Sequence, residues 1–171
     1  MSRLEDLFAA RLAVLVPGAV GTGHAAEIRG RLDRGGWSRY ALLDRGSYQH
    51  APVDEPALSA ALLHLASERV GRPLALVTAR ALRLGPGDYT LAHHDRVDEE
   101  PAVELVLDVS PAVVGGAEVH YRRDGQVYLR VPSAPGTLSI VERGPAVACH
   151  HTYVSKRHTA AEVVRLVMVL R

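Results

Sequence analysis

His93 and Asp95 stand two apart in the segment Gly87-Asp88-Tyr89-Thr90-Leu91-Ala92-His93-His94-Asp95. In an extended chain, side chains at i and i+2 leave the backbone on the same side. This imidazole and this carboxylate can therefore converge on one cation while His94 faces away. A second adjacent pair, His150-His151, lies far along the chain in another strand-like run and can supply a third ligand. Period two groups His150 with Ala148, Thr152 and Val154, and His151 with Cys149 and Tyr153. Neither face is marked as the interior one; His150 is favoured, with His151 as the alternative. Two imidazoles and a carboxylate on one face of an octahedron suit Fe(II) and leave adjacent positions open for a bidentate co-substrate and dioxygen. A His-x-Asp spacing taken alone more often marks a surface hydrogen bond, so the case rests on its context.

Arg165 is the second feature of that context. It interrupts the apolar run Val163-Val164-Arg165-Leu166-Val167-Met168-Val169-Leu170. A guanidinium there is costly unless it reaches an edge or meets an anion, and its planar fork matches a carboxylate. A dicarboxylate bound to a metal at one end would need such a cation at the other. Glu104 and Asp108 share one face of the strand-like run from Val103 to Val109, and a solvated face is the expected setting for them. Tyr121 and Arg122 are placed near a hairpin in water, or at a pocket mouth. His24, His50, His64 and His158 read as scattered surface or helix residues, His120 as a core or pocket histidine, and Cys149 as a small buried hydrophobe.

The elements that must position these residues come in two blocks. Ser2 with Glu5 has capping-box spacing, and Leu4, Leu7, Phe8 and Leu12 recur at helical intervals until Pro17-Gly18. Thr22 opens a second helix with Ala25, Ile28 and Leu32 on one side, ended by Gly35-Gly36. Asp54 and Pro56 open a third, with Leu58, Leu62, Leu65 and Ala66 as its buried stripe and Gly71 at its close. From Leu74 onward, alternation at period two takes over, in seven or so strands punctuated by turns such as Asp124-Gly125. The expectation is an α+β single domain over residues 1–171. Residues 1–73 form a helical support packed on one sheet, and residues 74–171 form a double-stranded β-helix, or jelly-roll, core.

Composition narrows the function classes. Twenty Lys and Arg against nineteen Asp and Glu leave a formal charge of +1, which announces neither nucleic acid nor a membrane as partner. One cysteine excludes an internal disulfide, and MSRLEDLF lacks the apolar run of a secretory signal, so a reducing cytoplasm is expected. No apolar stretch approaches the roughly 20 residues that a bilayer requires.

With these residues in place, the sequence resembles the Fe(II)- and 2-oxoglutarate-dependent oxygenase superfamily, in particular its prolyl-4-hydroxylase-like branch. Gly87-Asp88-Tyr89 ahead of His93-His94-Asp95 is similar to the family's Gly-Asp-aromatic stretch before its His-x-Asp pair. Gly115-Gly116-Ala117-Glu118-Val119-His120-Tyr121 is similar to its Gly-Gly-Glu-Leu strand, and Gly136-Thr137-Leu138 with the run to His150 or His151 to its distal-histidine strand. Val16-Pro17-Gly18, Trp37 and Tyr48 look like the usual opening, so the likeness spans nearly the whole chain. It implies Fe(II), 2-oxoglutarate and dioxygen as cofactor and co-substrates. It implies metal ligation by His93, Asp95 and His150 (or His151), and a 5-carboxylate held by Arg165 with Thr152 and Tyr89, Lys156 or Arg157 being weaker substitutes for the arginine. One departure is plain: members commonly carry a tyrosine just before the Pro-Gly turn, where this chain has Arg83 and Leu84.

The activity so implied is hydroxylation of an unactivated carbon with release of succinate and carbon dioxide. Halogenating relatives replace the acidic ligand, and Asp95 retains it. A short chain with little room for inserted lids points to a small molecule, amino acid or peptide as substrate. Two other classes are open to the sequence: a cupin-like metal-dependent dioxygenase or isomerase that uses the same histidines without 2-oxoglutarate, and a non-catalytic jelly-roll binding module in which the paired histidines are incidental.

Overall fold

Strand β6 (Ala102–Asp108) is buried at every position, and the rest of the molecule is arranged around it. The computed structural model describes residues 12–43, 45–91 and 101–171. Within them are two helices, α1 (Thr22–Leu32) and α2 (Pro56–Val70), and eleven strands. The strands β1 (Ala13–Val16), β2 (Ser38–Leu42), β3 (Gly46–Pro52), β4 (Leu76–Leu84), β9 (Leu138–Arg143) and β11 (Val163–Leu170) join β6 in a large antiparallel sheet, in the order β1-β9-β6-β11-β4-β3-β2. The short β5 (Tyr89–Thr90) pairs with β3. A smaller sheet holds β10 (Val147–His151), β7 (Val114–Arg123) and β8 (Gln126–Ser133) in the order β10-β7-β8. The two sheets face each other as a jelly roll.

Local chemistry accounts for these elements. Ala25, Ile28 and Leu32 recur at helical spacing and are buried, as are Leu58, Leu62 and Ala66. These six belong to one apolar cluster with Leu105, Leu107, Ile140, Leu166 and Met168 of the large sheet. Pro56 occupies the first turn of α2, where its missing N–H costs nothing, and Gly71 at φ 77° closes the helix in the left-handed conformation. Asp124 and Gly125, both at positive φ, make the tight turn between β7 and β8. The other faces of the same strands, through Leu82, Leu84, Val106, Val163 and Val167, meet Val119, Tyr121, Val131 and Cys149 of the small sheet in a second cluster.

Seven of the strands lie where alternation from Leu74 onward places them. The expectation of an all-helical support over residues 1–73 is corrected, because β1, β2 and β3 are strands. Ala13–Val16 reads as the tail of a helical pattern, yet it adds to the edge of the large sheet through β9. Ser38–Leu42 shows no buried position, so it leaves no alternating signal. The helix expected from Ser2 and the pair His93 and Asp95 lie outside the described residues, apart from the end of that pattern at Leu12. No helix among the described residues is long and apolar enough to cross a membrane.

Candidate active site

Several charged side chains are set into the otherwise apolar space between the sheets. Side chains at alternate positions of the central strands face inward, and register places Arg165 opposite Leu82 on one side and Asp108 on the other. Arg165 is 2% exposed. Its Nη1 donates to His151 Nδ1 at 2.7 Å and its Nη2 to the Ala117 carbonyl at 2.8 Å. Nε lies 3.5 Å from Asp108 Oδ2, an ion pair longer than a normal hydrogen bond. Burial pulls the guanidinium below its ordinary range, and Asp108 opposes that pull. Asp108 Oδ1 accepts the Ser110 N–H at 2.9 Å, which fixes the carboxylate beside the arginine. Both Asp108 and Glu104 are buried, which corrects the expected solvated face: β6 lies between β9 and β11 and has no face in water.

The parity of the second histidine pair is also corrected. His151, paired with Val119, turns inward with Cys149 and Tyr121, whereas His150 turns to the outer face of the small sheet and packs edge-on against His120 at 5.1 Å. His120 Nε2 in turn lies 2.6 Å from Glu118 Oε2. Burial first, then Arg122 and His120, push the His150 pKa down. The backbone N–H of His151 donates to Thr90 Oγ1 at 2.7 Å, tying β10 to β5, the strand that leads toward His93.

Two residues expected at a co-substrate carboxylate sit elsewhere. Thr152 Oγ1 donates to the Gly116 carbonyl and accepts from the Glu118 N–H, both at 2.7 Å, so its hydroxyl latches β7 where that strand shifts register. Tyr89 turns out and donates to the Leu43 carbonyl at 3.3 Å, while its neighbour Thr90 turns in. Where the family tyrosine was expected, Leu84 is fully buried in the inner cluster, and Arg83 pairs with Asp33 and Glu162 and lies 4.1 Å over the Trp37 ring. The turn before β5 is held by Asp88, which accepts from Arg39, Ser47 Oγ and the Gly85 N–H.

A narrow cleft of about 20 Å³ is lined by Tyr48, Arg80, Thr90, Glu104, Arg143 and His151 among others. Here lies what the sequence reasoning missed. Arg143 Nη1 donates to Glu104 Oε2 at 2.5 Å, and the Tyr121 hydroxyl donates to Glu104 Oε1 at 2.9 Å. Burial works against the Arg143 charge, but Glu104 more than offsets it and holds the guanidinium ionised. Burial, reinforced by Glu104, pushes the Tyr121 phenol and the Cys149 thiol up, so both stay protonated. The signal for Glu104 was its place in a nearly continuous apolar run, the mark of a strand buried on both faces.

Among the described residues no group of three His, Cys, Asp or Glu is placed to hold a metal. The expected set needs His93 and Asp95, which lie outside them.

No family model matches the chain, and no curated protein is similar to it in sequence. Solved structures are similar in fold. An oxidoreductase of the 2OG-Fe(II) oxygenase family from Burkholderia pseudomallei superposes with a TM-score of 0.75 at 14% identity, over 98% of this chain and 88% of that one. A prolyl-4-hydroxylase from Pseudomonas putida gives 0.73 at 16% identity, over 99% of each chain. HygX from Streptomyces hygroscopicus, with nickel, 2-oxoglutarate and hygromycin B bound, gives 0.71 at 13% identity, over 99% of this chain and 87% of that one. The chain has the fold of these oxygenases.

Proposed function

We propose that the chain is an iron(II)- and 2-oxoglutarate-dependent oxygenase of the prolyl-hydroxylase-like branch, one domain that hydroxylates an unactivated carbon of a small molecule, amino acid or peptide. The observation that carries this reading is the buried pair His151 and Arg165, joined at 2.7 Å beside Thr90. His93 follows Thr90 by three residues. Three residues of extended chain span at most about 11 Å, and the reading requires His93 to use that reach toward His151. The proposed metal ligands are His93, Asp95 and His151, in place of His150.

The residues fit these groups. His151 offers a buried imidazole to the interior, and the neutral ring is a common ligand for first-row metals. Arg165 Nη1 lies beside His151 in that interior, and a guanidinium is suited to receive a carboxylate. Iron and 2-oxoglutarate, if bound here, would supply the oxidising chemistry with dioxygen as the oxidant, one of its oxygen atoms going to succinate, released with carbon dioxide, and the other to the hydroxylated carbon. The chain supplies position and protection.

Arg165 has a defined part in that positioning. An imidazole that ligates through Nδ1 has no lone pair left there, and a neutral one that ligates through Nε2 carries its proton on Nδ1. In either case Arg165 must give up its present hydrogen bond to His151. That release frees Nη1 for an incoming carboxylate, while Asp108 stays beside the guanidinium. Thr90 holds the His151 backbone in place throughout, and Val106, Val163 and Val167 keep water from the interior.

Anaerobic titration of the iron-loaded protein with 2-oxoglutarate tests the reading. Wild type develops the weak visible metal-to-ligand band, and Arg165→Met requires roughly ten-fold more 2-oxoglutarate or beyond, the worth of a lost charge-assisted hydrogen bond. No band in wild type overturns the assignment. The Arg165–Asp108 ion pair favours one second reading, a cupin-like metal-dependent dioxygenase or isomerase in which Arg165 is already matched. That reading predicts that Arg165→Met leaves metal binding unchanged and that 2-oxoglutarate does not bind at all.

A further inference from the structure

Beside His151 the small sheet is stitched to the large one. β10 is an edge of the small sheet, and β5 pairs with β3 of the large sheet. Just past the end of β10, the Val154 N–H donates to the Asp88 carbonyl and the Val154 carbonyl accepts from the Gly87 N–H, both at 2.8 Å. The bond at His151 differs in kind, because its N–H is taken at 2.7 Å by a side chain, Thr90 Oγ1, and not by a backbone carbonyl. Thr90 is 2% exposed and that bond is buried. A β-branched side chain is stiff about χ1, so the hydroxyl stands at a fixed place. Without its oxygen a buried N–H would lose its acceptor, and the adjoining backbone could relieve that cost only by shifting. Any such shift carries the imidazole of His151 with it.

We infer that Thr90 is a positioning residue for the metal: through the His151 N–H its hydroxyl sets where the inward imidazole stands, so that metal affinity and the tightness of this seam rise together. The inference rests on the reading of His151 as a ligand. Linkage makes it quantitative, because whatever factor the hydroxyl contributes to metal affinity, bound metal returns to the stability that the hydroxyl gives. A hydroxyl that merely holds the fold contributes equally with and without metal.

The test compares wild type, Thr90→Val and Thr90→Ser, with nickel(II) as the probe. Valine keeps the branching and lacks the oxygen, whereas serine keeps the oxygen. By isothermal titration calorimetry, nickel affinity should fall roughly ten- to a hundred-fold in Thr90→Val, the usual worth of a group that orients a ligand, and return to within about three-fold of wild type in Thr90→Ser. Urea unfolding is then run without metal and at one free nickel concentration well above both dissociation constants. Thr90→Val should lose more stability with nickel than without, by the factor found in the titration. Should Thr90→Val not fold, Thr90→Ala is read against Thr90→Ser in the same way, since those two differ only by the oxygen. Equal nickel affinity in wild type and the variant without oxygen overturns the positioning role. An equal loss of stability with and without nickel does the same, as does a Thr90→Ser as weak as the variant without oxygen. Wild type that binds no nickel overturns the ligand reading itself, and this inference with it.

Discussion

Replacing Arg143 by Met should be among the most damaging single changes inside the barrel, because it strands Glu104. Arg143 and Glu104 side chains are 4% and 5% exposed and meet at 2.5 Å. Removing one member of such a pair leaves an uncompensated buried charge, which costs about 3–5 kcal/mol. For a domain of this size each kcal/mol lowers Tm by roughly 2–4 °C, so Arg143→Met should melt roughly 6–20 °C below wild type. Glu104 keeps the Tyr121 hydroxyl in the variant, which favours the lower half of that range. Glu104→Leu/Arg143→Met removes both charges and should recover most of the loss, since apolar replacement of a buried pair is often neutral. Tyr121→Phe, which removes one neutral donor to a charged acceptor, should cost about 1.5–3 kcal/mol. Urea unfolding of wild type, Glu104→Leu, Arg143→Met and the double variant, compared as a double-mutant cycle, measures the coupling. A cost below about 1 kcal/mol for Arg143→Met, or a double variant as unstable as the sum of the singles, would refute the reasoning, since contacting residues should couple.

Asp88→Ala should destabilise the fold by about 1–3 kcal/mol in urea unfolding and weaken metal binding as well, because Asp88 gathers Arg39, Ser47 and the Gly85 N–H at the turn that carries β5. His150 should titrate below its ordinary 6.5 by NMR, burial being the main cause. Its folded-state pKa is depressed, so the unfolded chain takes up a proton that the folded chain refuses and stability falls as pH drops through 6.5. His150→Gln should flatten that slope.

The core was legible because its strands alternate and its turns are marked. From Leu74 onward β4 and β7 carry apolar residues at period two, β6 and β11 read as nearly continuous apolar runs, and Asp124-Gly125 names its hairpin outright. β1 and β2 escaped for physical reasons. Four apolar residues at a sheet edge look like the end of a helix, and an edge strand without buried positions has no hydrophobic side to read. Arg165 stood out in the sequence as a charge in an apolar strand, and it is buried; His93 and Asp95, read from type and spacing, lie outside the described residues. The choice between His150 and His151 was lost on parity, though a clue was present: Cys149, read as buried, shares its face with His151. In β7, Ala117, Val119 and Tyr121 alternate with Glu118, His120 and Arg122, and pairing with β10 settles which side is inner. Glu104 and Arg143 could not be matched in advance, because strands β6 and β9 meet only through the register of the folded sheet. Thr152 and Tyr89 had the expected type, but their hydroxyls donate to the backbone carbonyls of Gly116 and Leu43.

Cobalt(II) titration of metal-free protein, followed by its visible d–d absorption, puts the placement of the inner histidine to trial. Wild type and His150→Ala should bind one equivalent with similar affinity, whereas His151→Ala should lose affinity by roughly a hundred-fold or more, as expected when a ligand itself is removed and not merely its supporting shell. Equal binding by His151→Ala and wild type, or loss confined to His150→Ala, would contradict the account.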